Sequence, residues 1–134
     1  MLKKLPLILS SMIIAIILFQ SALIAPAINE LLNEQETAVL LRFIWPKFFI
    51  LIAFLSALSV VILMMQKPNS SKRRYLMISS LVIMLLSYLI TPSINEAKDT
   101  GNEQLWTILH IATVSGTVVV LVLNFLGLKA GEER

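Results

Sequence analysis

The sequence has no cysteine, one histidine and only four glycines, and charged residues fill just 14% of its 134 positions. Each shortage excludes a class of chemistry. Without cysteine there is no disulfide framework, no thiolate nucleophile and no thiolate metal site. One histidine cannot give two imidazole ligands to a haem within a chain, and the methionines that could complete such a site (Met64, Met65, Met77, Met84) fall at the opposite side of the membrane from His110. No Gly-rich phosphate loop and no Ser-His-Asp set is present. No Asp or Glu falls in any long apolar block, so the carboxylate relay of proton and cation carriers is missing too. The chain therefore carries no signature of an enzyme and none of a resident metal or cofactor.

What the chain does have is apolar surface. Hydrophobic residues make up 57% of it, far outside the balance of a soluble domain with roughly 25% charged residues. They gather in blocks at about 5–28, 44–65, 75–94 and 105–128, each near the roughly 20 residues that cross about 30 Å of hydrocarbon. Backbone groups in a bilayer must pair with one another, so the blocks predict helices. The expected fold is an all-α integral membrane protein, one four-helix transmembrane bundle covering residues 1–134.

A short phrase is written twice. Ala25-Pro26-Ala27-Ile28-Asn29-Glu30 ends the first block, and Thr91-Pro92-Ser93-Ile94-Asn95-Glu96 ends the third. The copies divide the chain into halves at about 1–66 and 67–134, each a helical hairpin, and predict a parallel repeat about an axis along the membrane normal. Trp45 and Trp106 open the second and fourth helices on the same side, where indoles favour the headgroup zone. Pro46 suits a first helical turn. The mixed stretch Asn33–Arg42 reads as a short interfacial helix, and Gln66–Ser71 as a plain turn.

Cations set the orientation. Lys3, Lys4, Lys67, Lys72, Arg73, Arg74, Lys129 and Arg134 fall on one side, and only Arg42, Lys47 and Lys98 on the other. Both termini are expected on the cytoplasmic side of an inner membrane. The start of the chain imitates a signal peptide, but its apolar run exceeds the usual 7–15 residues and its end is copied after the third block. The basic residues belong to the inner membrane surface and give no support to nucleic-acid binding; Lys72, Arg73 and Arg74 form an orientation signal or a lipid-headgroup site. Small residues on the second helix (Ala53, Ser56, Ala57, Ser59) and the fourth (Ala112, Ser115, Gly116) mark close helix approach, within one bundle or between copies.

Candidate site residues lie near the outer ends of the helices. His110 is ionisable at membrane depth, and at its level the other helices offer Gln20, Lys47, Tyr88 and Thr91, with Thr113 one turn on. Two readings stand: a polar pocket for a small solute or anion, or a neutral imidazole tying helices together. Lys47 either joins that pocket or extends to the headgroups. Pro26 and Pro92 each free a carbonyl four residues back, at Ala22 and Tyr88, and form either a helix-break pair at a substrate site or bends near helix ends.

The residues Phe19…Pro26, Phe43-Ile44-Trp45-Pro46-Lys47-Phe48, Pro92-Ser93-Ile94 and Trp106…Leu109-His110 together resemble the small four-helix bacterial membrane proteins related to transmembrane protein 205. Trp106 stands where that family usually has Phe, and Thr113 where it has Ser. The resemblance implies an integral membrane protein with a shared histidine in its last helix, and no agreed activity. Two functions fit these readings. One is a module that binds or permeates a small polar solute. The other is an accessory subunit of a larger membrane complex or homo-oligomer.

Absence of cysteine makes orientation directly testable. A membrane-impermeant maleimide should label Glu34→Cys and Gln104→Cys in intact cells, and Lys4→Cys and Lys129→Cys only after the cytoplasmic face is opened. The reverse pattern would overturn the charge argument.

Overall fold

The computed structural model describes residues 4–66 and 71–132. Its elements are α1 (Leu5–Phe19), a π-helical turn (Gln20–Ile24), α2 (Ala25–Leu31), α3 (Glu34–Met65), α4 (Ser71–Asp99) and α5 (Glu103–Glu132). The first three are continuous, so four spans long and apolar enough to cross a membrane result: Leu5–Leu31, Glu34–Met65, Ser71–Asp99 and Glu103–Ala130. No strand occurs among the described residues. The chain is an all-α integral membrane protein built as a four-helix bundle. Around the bundle the order is α1, α3, α4, α5, with α4 packed closely on both α3 and α5 while α1 closes the ring more loosely.

Every span runs past its apolar block, and capping groups explain where it stops. The Asn33 side chain accepts from the Glu36 N–H at 3.0 Å, and the Glu36 carboxylate accepts from the Asn33 N–H at 3.2 Å. This capping box satisfies two otherwise orphaned donors and starts α3 at Glu34. The stretch Asn33–Arg42 is therefore the cap and first turns of α3 rather than a separate interfacial helix. For the same reason Pro46 lies inside α3 and not in a first turn. At the other junction α4 passes Pro92 and stops at Asp99. Gly101 there adopts φ 71°, which only glycine takes without strain, while the Asn102 N–H donates to Ala97 O at 2.9 Å and the Gly101 N–H to Lys98 O at 3.2 Å. Asn102 then caps α5, accepting from the Leu105 N–H at 3.2 Å. Residues 67–70 of the inner turn lie outside the described residues.

The two copies of the repeated phrase fold differently. Ahead of Pro26 the helix widens to a π turn in which the Ala25 N–H reaches back to Gln20 O. A wider turn gives room to the Ala22 carbonyl that the proline ring crowds. Pro92 sits in uninterrupted α-helix. The expected helix-break pair is thus a single distortion, and neither proline ends its span.

The interior of α4 and α5 follows a strict alternation of three and four residues. It runs through the buried Arg73, Met77, Ser80, Met84, Ser87 and Thr91 on α4, with Ala97 buried beyond it, and through Thr113, Thr117, Val120, Asn124 and Gly127 on α5. That spacing keeps one narrow face toward the neighbour, as in left-handed helix pairs. Of the small residues expected at contacts, Ala53, Ser56 and Ser59 are buried and Ala57 is half-buried, whereas Ala112 and Ser115 face outward. Gly116 makes the close approach: a Cβ there would lie 3.0 Å from Ile83 Cγ2 and 3.7 Å from Ser87 Oγ. A bidentate pair between Arg42 and Asp99 ties the first turns of α3 to the end of α4.

Gly116→Leu should push α5 off α4 and lower stability by roughly 1–3 kcal/mol, the usual cost of overpacking. Unfolding in mixed detergent micelles would measure it, and Ile83→Ala should restore part of the loss.

Candidate functional site

A groove lies between α1 and α3, in the half of the bundle that holds the start of α3. It has a volume of about 620 Å³ and is lined by Ala15, Ile16, Phe19, Gln20, Phe43, Ile44, Lys47, Phe48 and Leu51. The groove exists because α1 approaches α3 less closely than α4 does. Its walls are apolar and partly open to the side, with Phe19 55% and Phe43 61% exposed.

Two polar side chains stand in it. Gln20, the first residue of the π turn, is only 7% exposed, and its Nε2 has no hydrogen-bond partner. A buried donor left unpaired costs about 1–3 kcal/mol, so the arrangement is expensive unless something binds there. Lys47 is exposed on the facing wall. Its ammonium folds back to donate to Phe43 O at 3.2 Å and lies 3.4 Å from the centroid of the Phe43 ring. It has no acidic partner, whereas Arg42 pairs with Asp99, and Lys98 with Glu103 at 3.2 Å.

The remaining candidates separate from this pair. His110 is half-buried on α5 and stacks on Trp106, centroids 5.2 Å apart and rings 9° from parallel, while Lys98 lies 4.7 Å over the same indole. Thr91 and Thr113 are buried, but their hydroxyls donate within their own helices, to Ser87 O and His110 O, each at 2.9 Å. Tyr88 is exposed on the outer surface of α4. The six residues therefore do not form one cavity: Gln20 and Lys47 share the groove, and His110 belongs to an aromatic stack on another helix. Trp45 is half-buried, and its ring packs on Phe48 and Phe49 at 5.3 and 5.7 Å.

At the start of α4 Lys72 is exposed and Arg74 half-buried, but Arg73 is 9% exposed and occupies a core position of the α4 spacing. Helical geometry turns it away from its neighbours, so the three cations do not present a single face to headgroups.

One polar group was overlooked in the sequence. Asn124 is fully buried, and its amide donates to Val120 O at 2.9 Å and to Ser80 Oγ at 3.3 Å, leaving Oδ1 unpaired. The signal was available: an Asn inside the run Val118–Leu128, four residues after Val120 and in step with Thr113 and Thr117. Nearby in the bundle interior Ser10 Oγ donates to Met77 Sδ at 3.6 Å, and Ser56 Oγ and Ser59 Oγ are buried without partners.

Residues 8–103 match the family described as a domain of unknown function, DUF4149. The chain belongs to the DUF4149 family. The DUF4149 match contains both walls of the groove and ends before Trp106 and His110. No curated protein and no solved structure matches the chain.

Asn124→Ala should cost about 1 kcal/mol, the usual worth of an interhelical polar contact in a membrane, read by unfolding in mixed micelles. His110→Ala should cost a similar amount through loss of the Trp106 stack, and should leave anything bound between α1 and α3 in place.

Proposed function

We propose that this chain is a membrane-embedded binding module that takes its ligand sideways into the α1–α3 groove near the outer face. The observation that carries this reading is the buried, unpartnered Gln20 amide in the same recess as Lys47, a cation without an acidic partner among the described residues. Permeation through the bundle axis is disfavoured, because Ile13, Ile52, Leu63, Met84 and Val120 fill the interior with no exposure at all. No catalytic role is assigned to any residue. The reading retains a cytoplasmic location for both termini, an inner-membrane setting and kinship with proteins related to transmembrane protein 205.

The accessory-subunit alternative is supported by the broad apolar outer faces of α4 and α5, where Leu86, Leu89, Ile108 and Ile111 are exposed. Native mass spectrometry of gently extracted protein separates the two. The binding module should retain a defined small mass that disappears in Ala15→Trp, which fills the groove. Absence of any bound mass, or recovery only within a larger protein complex, would overturn the module in favour of the subunit.

A further inference from the structure

We infer that the groove takes a membrane lipid with an anionic headgroup, a conclusion that rests on the binding-module reading and adds the chemistry of its ligand. Three features converge. First, the walls formed by Ile16, Phe19, Phe43 and Leu51 are apolar and open sideways, so an occupant enters from the bilayer without crossing water. Such a surface accepts a hydrocarbon chain and offers nothing to a freely soluble ion.

Second, Lys47 offers the recess donors only, and Gln20 adds an unpaired amide N–H beside its acceptor oxygen. The Gln20 amide N–H is buried and unpaired, and the Lys47 ammonium has only a backbone carbonyl and a ring face. A ligand must therefore bring acceptors, and the ester carbonyls and phosphate oxygens of a glycerophospholipid supply them at adjacent depths. Third, the charge is uncompensated. The other two described cations near the outer face are paired with Asp99 and Glu103, and no carboxylate lines the groove. An anionic headgroup neutralises Lys47, whereas a zwitterionic one brings its own cation into the same place.

The test uses the full chain in phosphatidylcholine vesicles containing a minor share of phosphatidylglycerol. p-Benzoyl-phenylalanine replaces Phe19 in the groove or, as a control, Leu89 on the exposed face of α4, and lipid adducts are identified by mass after illumination. Phe19 adducts should be enriched in phosphatidylglycerol about fivefold over its bulk share, the effect of one lysine near an anionic headgroup. Leu89 adducts should follow the bulk composition, and Lys47→Gln should bring the Phe19 adducts down to it. Inorganic phosphate in excess should change nothing.

Bulk composition at Phe19 in the wild-type background would overturn the headgroup assignment while leaving the groove as a ligand site. Loss of enrichment on adding inorganic phosphate would point to a soluble anion and overturn the lipid. If a small mass is retained by the native protein but no lipid is captured at Phe19, the ligand is not a lipid at all. The unlabelled protein provides a second measurement, since Lys47→Gln should lose retained phosphatidylglycerol in native mass spectra.

Discussion

Every polar group that leaves water inside a bilayer must find its partner in the protein, and this constraint organises the whole chain. Most of the interior hydroxyls meet it locally. Ser80, Ser87, Thr91 and Thr117 each donate to the carbonyl four residues back in the same helix, at 2.9–3.0 Å. Satisfied in this way, serine and threonine behave as small side chains, and helices approach closely over them. The tight contact of α5 on α4 at Gly116 and Ser87 is the outcome. Four buried atoms among the described residues lack a partner, Gln20 Nε2, Ser56 Oγ, Ser59 Oγ and Asn124 Oδ1; of their side chains, Asn124 reaches Ser80 on another helix and Gln20 lines the groove.

The first pair of spans and the second pair pack unequally. In the second, α4 and α5 meet along a continuous face of small and polar residues. In the first, bulky residues such as Phe19, Phe43 and Phe48 stand at the outer ends of the helices, and a π turn displaces the backbone ahead of Pro26. The groove lies beside this distortion, and Gln20 sits at its first residue.

Much of the fold was legible because hydrocarbon thickness and backbone pairing leave few choices for long apolar runs. The four spans and the small-residue face of α3 could both be read from residue order. Helix ends were less legible, since hydropathy falls off before the helix does; Asn33, Gly101 and Asn102 carried the missing information as caps. The site was only half legible. Grouping polar residues by depth placed His110, Tyr88 and Thr91 with Lys47, but depth says nothing about rotation around each helix axis. Packing decided the rotations, and they put Tyr88 outside, Thr91 inside and His110 against Trp106.

The sequence alone determined that this is a four-helix membrane protein, because composition and run length respond to the bilayer and not to particular contacts. Only the tertiary structure decided that α1 stands off from α3, that Arg73 and Asn124 turn inward, and that Gln20 and Lys47 share one recess. Those outcomes depend on how side-chain volumes fill the space between helices, a property of pairs of segments distant in the chain.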